Sequence, residues 1–250
     1  MRRRTLFATL CAGYVVFLLA TAPAWIAAEA IATSSAAQFN TVEGSVWNGA
    51  AALRIHDVAL ERIAWRFQPQ RLFLGEWAYA LRIDDAIGNG EAIVARGFSG
   101  WRIHDLNALL HAPAAARAAA RFIPLAAAAA PEGKIRITAG DIALDARHAA
   151  GQIGAQWQDA ALAFSDIRPL GDYQADIVLQ GDGATFSIKT LKGVLRVAGR
   201  GSFQPPQQWI FNGEATAAPD MLPHLQALLT MLGTPGDRGV TVMRYSNVPR

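Results

Sequence analysis

Short runs of alternating apolar and polar residues, set apart by glycine, constrain this chain more than any other feature. Side chains alternate across a β-strand with a period of two, so such runs place apolar groups on one face and polar groups on the other. Half-buried antiparallel strands read this way. Residues 176–190 show the pattern best: Ile177 and Leu179 alternate with Val178 and Gln180, Gly181-Asp182-Gly183 suits the positive φ of a tight turn, and Phe186 and Ile188 answer on the return. Residues 191–203, then 208–215 with Trp209 and Phe211, extend this hairpin into a meander. Earlier, residues 77–84 and 91–97 flank Gly88-Asn89-Gly90, a second hairpin signal.

Two stretches break the β pattern. Residues 105–130 are alanine-rich, with Leu106, Leu109 and Leu110 ahead of Pro113 and Pro124, and predict one or two short helices in a connector. Residues 219–232 predict a helix in which Leu222, Leu225, Leu228, Leu229 and Leu232 share a face, Pro223 lies in the first turn and Gly233 ends it. The remainder, 234–250, predicts a short strand or a tail. Gly44 precedes Trp47 as Gly154 precedes Trp157, an echo that suits two similar β units on either side of the connector.

The amino terminus is different in kind. Arg2, Arg3 and Arg4 precede an uncharged apolar run over residues 6–26, and the first acid is Glu29. About 20 apolar residues match the hydrocarbon thickness of a bilayer, and arginines ahead of them hold that end in the cytoplasm. The run predicts a single transmembrane helix in which Leu6, Phe7, Leu10, Val15, Phe17, Leu18 and Leu19 meet lipid, and Trp25 and Ile26 lie at its outer end. A cleaved signal peptide competes, because Ala20-Thr21-Ala22 and Ala27-Ala28-Glu29-Ala30 offer small residues; its apolar region is ordinarily only about 7–15 residues, which favours the uncleaved anchor. Cys11 is the only cysteine, so the body has no intramolecular disulfide and its stability comes from packing. The three arginines account for the formal net charge of +3, and no basic stripe with interleaved aromatics points to nucleic acid.

Chemistry-bearing motifs are sparse. Gly97-Phe98-Ser99-Gly100 lacks the glycine spacing of a nucleophile elbow. His56, His104, His111, His148 and His224 show no metal-ligand spacing. Asp84-Asp85 and Asp141 with Asp145 fall at predicted turns or strand ends, where carboxylates commonly accept backbone N–H groups. No dinucleotide or phosphate loop is present. The chain reads as a non-enzyme without cofactor or metal. Trp47, Trp65, Trp77, Trp101 and Trp157 fall on or beside predicted strands and make a candidate apolar face, whether a filled core or a lipid-accepting groove.

Taken in order, the arginine cluster and apolar run, Val42-Glu43-Gly44-Ser45-Val46-Trp47-Asn48-Gly49, Ile63-Ala64-Trp65-Arg66-Phe67-Gln68-Pro69 and Leu72-Phe73-Leu74-Gly75 resemble the type II secretion system protein N family. Gly151 through Trp157, Leu170-Gly171-Asp172-Tyr173 and residues 221–232 ending at Gly233 fit the same order, so the resemblance spans nearly the whole chain. It implies a non-enzymatic inner-membrane protein with a periplasmic domain, accessory to the export of folded proteins across the outer membrane, whose partners are other secretion subunits and membrane lipid. It also implies a relation to AsmA-like folds, whose curved sheets enclose apolar troughs; the alternative function is therefore a lipid-binding or lipid-transfer module. The expected fold is mainly β: an N-terminal transmembrane helix, then a curved antiparallel β-sheet domain, with one or two short helices. The expected divisions are 1–30 anchor, 31–105 first β unit, 106–132 connector and 133–250 second unit with helix 219–232.

Overall fold

A computed structural model of the chain describes residues 37–247 except 56–57, 120–128, 146–147, 206–207 and 237–238, together with residues 14, 17–18, 21–26 and 28–29. One antiparallel sheet of fourteen strands dominates the described residues. Its first twelve strands are β1 (Ala37–Gly44), β2 (Asn48–Ile55), β3 (Val58–Phe67), β4 (Trp77–Asp85), β5 (Gly88–Gly97), β6 (Gly100–His111), β7 (Pro131–Leu144), β8 (Ala149–Leu162), β9 (Gly171–Gly181), β10 (Gly183–Gly193), β11 (Leu195–Gln204) and β12 (Gln208–Ala217). Each pairs with its sequence neighbour, so the sheet is an open, curved meander. Two short helices, α1 (Ala112–Ala119) and α2 (Leu222–Leu232), follow β6 and β12. After α2, the two-residue β13 (Thr234–Pro235) pairs with β14 (Thr241–Ser246), which lies between β13 and β12.

The alternation seen in the sequence becomes two chemically distinct rows across the sheet. One row of cross-strand partners runs Tyr79, Val94, Ile103, Ile142, Gly151, Leu179, Ala184, Phe203 and Trp209. On the other face a row runs Arg82, Glu91, Asn107, Thr138, Gly154, Asp176, Ser187, Arg200, Asn212 and Arg244. Directly opposed side chains share a face, so the sheet is amphipathic over almost its whole width. Bulges keep the faces in phase along the longer strands. Asp105 (φ 52°) and Asp159 (φ 50°) take the left-handed conformation that aspartate tolerates, and the Asp172 carboxylate accepts the Asp159 N–H at 2.8 Å.

Helix α2 closes the apolar face toward its C-terminal end. The helix lays Leu225, Leu228 and Leu229 onto Leu170, Leu195, Ala215 and Met243, and together they form a buried core cluster. Leu225 retains 1% of its exposure. Pro lies in the first turn of α2, and the Gly233 N–H caps its end on the Leu229 carbonyl.

Several expectations are corrected. Residues 105–111 are strand: β6 gains ladder bonds from β5 and β7, which outweigh the local helix preference, and the helix begins only at Ala112. β6 runs through residue 106, and its pairing with β7 carries the sheet past it. The hairpin predicted at Gly88-Asn89-Gly90 turns earlier, where the Asp85 carboxylate accepts the Ile87 N–H at 3.1 Å; Gly88 and Gly90 belong to β5. Helix 219–232 starts at Leu222. The tryptophan echo has no structural counterpart, since Trp47 lies in the β1–β2 connection and Trp157 within β8.

Among the described residues no helix is long and apolar enough to cross a membrane. Arg2, Arg3, Arg4, Leu6, Phe7, Leu10, Val15 and Leu19 lie outside the described residues. Phe17, Leu18, Trp25 and Ile26 are described and exposed.

Candidate functional site

The tryptophans singled out from the sequence gather on the apolar face. Trp65 opposes Gly49 and Leu81; Trp77 opposes Arg96, and Arg96 opposes Trp101; Trp157 opposes Ile135 and Tyr173. Trp47 reaches the same face from its loop, with ring centroids 5.0 Å from Phe67 and 5.7 Å from Trp77. Phe67 packs at a tilt against Trp77 at 4.9 Å and Tyr79 at 5.4 Å, and the Arg96 guanidinium lies 5.4 Å over the Trp101 ring. Indole N–H groups are satisfied at the margins: Trp65 Nε1 donates to the Ser45 and Val46 carbonyls and Trp157 Nε1 to that of Glu132.

Toward the C-terminal end the same face carries Phe186 and Phe211, stacked with centroids 6.0 Å apart, and Tyr245 beyond them. Glycine makes room for these rings to lie down on the sheet. A Cβ built on Gly201 would come within 2.3 Å of the Phe186 ring, and one on Gly49 within 2.6 Å of Trp65. Among the described residues helix α2 covers this face only over the core cluster. Trp77, Trp101, Phe203 and Trp209 remain substantially exposed. The polar face holds open recesses, one of about 870 Å³ with Ser187, Lys189, Arg200, Asn212, Glu214 and Arg244 on its walls.

Sequence reasoning missed a charged cluster assembled from three elements. Between β3 and β4 the chain makes a 3-10 helix (Pro69–Leu74), after which the buried Glu76 carboxylate meets Arg71 Nη1 at 2.9 Å, Arg102 Nη1 at 3.6 Å and His104 Nε2 at 3.5 Å. His104 Nδ1 lies 2.6 Å from the Asp141 carboxylate. Opposite charges neutralise Glu76 and fasten this connection to β6 and β7. Nothing in the spacing of these residues along the chain signals their convergence. The other chemical candidates stay apart: Ser99 is in the β5–β6 turn, His148 sits beside Asp145 at 3.3 Å, His224 is in α2, His111 ends β6, and His56 lies outside the described residues. Among the described residues no group of His, Cys, Asp and Glu could hold a metal ion.

Tyr173 is held neutral beside the core. Burial pushes its phenol above the ordinary range and the neighbouring Asp172 carboxylate adds to the shift, while its hydroxyl donates to the Leu195 carbonyl at 3.0 Å.

What these features define is a class: single-sheet proteins that present a wide amphipathic surface. Comparison with known sequences makes the class specific. The family model for type II secretion system (T2SS) protein N matches residues 35–244, and the chain belongs to that family. The type II secretion system protein N of Aeromonas hydrophila is 23% identical to it over 253 residues, covering 98% of each chain. No solved structure matches. Family membership makes the chain a type II secretion component.

Proposed function

We propose that this chain is a non-enzymatic subunit of the type II secretion system, tethered to the bacterial inner membrane by residues 6–26 with its sheet in the periplasm, where it supports export of folded proteins across the outer membrane. Family membership supports the system, and the free margin of the sheet supports the role. Among the described residues β1 pairs only with β2, so its outer N–H and C=O groups are available to a strand from a neighbouring subunit. Deleting the gene should leave secreted substrates folded and retained in the periplasm. Alkaline phosphatase fused after Gln38 should be active; an inactive fusion made at normal levels would overturn the topology.

The uncovered aromatic face favours a second reading, an AsmA-like module that binds or passes lipid. Mass spectrometry of the purified chain separates the two: stoichiometric phospholipid after exhaustive detergent washing would favour the lipid module, and its absence the interaction subunit.

A further inference from the structure

In a meander every odd-to-even connection lies at the same end of the sheet, so the β1–β2, β3–β4 and β5–β6 connections are neighbours along one edge. Their chemistry is unusual for exposed loops. The β3–β4 connection presents Leu72, Phe73 and Leu74, with Phe73 93% and Leu74 73% exposed, and the β5–β6 turn presents Phe98, 100% exposed. The two loops touch: a Cβ on Gly75 would lie 3.2 Å from the Phe98 ring. The acid closest to these tips, Glu76, is turned inward and neutralised by Arg71 and Arg102. Corresponding connections in the second half of the sheet are Asp145-Ala146-Arg147-His148, Asp182 and Pro205-Pro206-Gln207, which carry charge, polar groups or proline. Among the described residues of this edge the most exposed apolar side chains, Phe73, Leu74 and Phe98, lie on the β3–β4 and β5–β6 connections, while Phe203 and Trp209 beside the β11–β12 connection are 41% and 39% exposed.

The N-terminal run reaches the sheet at this same edge. Pro23 bridges to Ser45, and the Val46 N–H donates to the Ala22 carbonyl at 2.9 Å, so the apolar residues up to Ile26 approach the β1–β2 connection. One layer behind the tips lie Trp77, Arg96, Trp101 and Arg102, aromatic and cationic groups of the kind that favour the headgroup level of a bilayer. Exposed apolar tips, a belt of tryptophan and arginine behind them and an apolar run arriving alongside have one common complement.

The geometry points to a membrane-seated edge: the 68–76 and 98–99 connections insert Phe73, Leu74 and Phe98 into the headgroup–acyl boundary of the bilayer that holds residues 6–26, and the sheet rises from that surface with its apolar face open beside the lipid. This inference rests on the anchor reading of the N-terminal run. It fixes the orientation of the sheet, with the α2 end directed away from the membrane.

Depth measurement on the full chain tests it. With Cys11→Ser as background, single cysteines at Leu18, Phe73, Phe98 and Asp182 are labelled with an environment-sensitive fluorophore in phospholipid vesicles containing nitroxide lipids. Labels at 73 and 98 should be blue-shifted and quenched several-fold more by nitroxides at shallow acyl positions than the label at 182. Labels at 73 and 98 as water-exposed as that at 182 would overturn the inference, while deep quenching at 18 in the same experiment would leave the anchor standing. Quenching at 73 and 98 without quenching at 18 would uphold the edge and remove the anchor. Phe98→Cys alters a side chain that is wholly exposed, so misfolding does not obscure the outcome.

Discussion

The two ends of the apolar face carry the same alternation and meet different fates. At the C-terminal end α2 covers it, and Leu170, Leu195, Ala215 and Met243 become a dry core. In the N-terminal half Trp47, Phe67, Trp77 and Tyr79 pack edge to edge on each other while Trp77 and Trp101 stay half open. Residue choice follows the difference. Leucine and alanine serve where a helix lies close by; tryptophan, with its large apolar body and polar N–H, serves where the surface stays open. The same pattern thus makes a dry core at one end and leaves an open aromatic surface at the other.

The largest expected effect lies at the covered end. Leu225→Ala should cost about 2–5 kcal/mol in urea denaturation, because the side chain is fully enclosed and the cavity it leaves is lined by the α2–sheet cluster. Trp101→Ala, though it removes a larger side chain, should cost only about 1 kcal/mol, since half of the ring is already in water. Equal losses at the two sites would show that the N-terminal half is closed by something in solution.

Much of this was legible in the sequence. The alternation over 176–190 predicts β9 and β10 and their turn, and the leucine spacing predicts α2 and its buried face. Local patterns suffice there because the partner is a neighbour in the chain. Asp105 and Asp159 are another matter: a bulge inserts one residue into a ladder and is set by the strands on both sides, so neither aspartate announces itself. The Glu76–His104–Asp141 cluster was hidden for a similar reason, being made when the β3–β4 connection folds onto β6 and β7. Leu72-Phe73-Leu74 was visible as a family element, but its exposure is a property of the loop that carries it.

A middle-sized effect tests how flat the face must be. Gly201→Val should cost about 1–3 kcal/mol, because the new side chain collides with the Phe186 ring and the Ile210 carbonyl, both within 2.6 Å of the added Cβ. The displaced ring also breaks the stack with Phe211, so near-ultraviolet circular dichroism should change along with the denaturation midpoint. A lower midpoint with an unchanged aromatic spectrum would mean that the backbone yields and the ring keeps its place.

The smallest effect marks where the covered region ends. Tyr173 is on the apolar face beside Trp157 and reaches the Leu195 carbonyl of the core. Its phenol is raised above the free value of 10.0 by burial first and by Asp172 second. The sign follows from proton binding: above about pH 10 the unfolded chain releases this proton while the folded chain keeps it, so the associated stability is intact below pH 10 and declines as pH rises toward the folded value. Tyr173→Phe should lose about 1 kcal/mol near neutral pH with the hydrogen bond. It should also decline less steeply than the wild type between pH 10 and 11.5 in urea titrations. Parallel declines would place Tyr173 on the wet side of the boundary, with the dry core ending at Leu195 and the uncovered face beginning one strand nearer to α2.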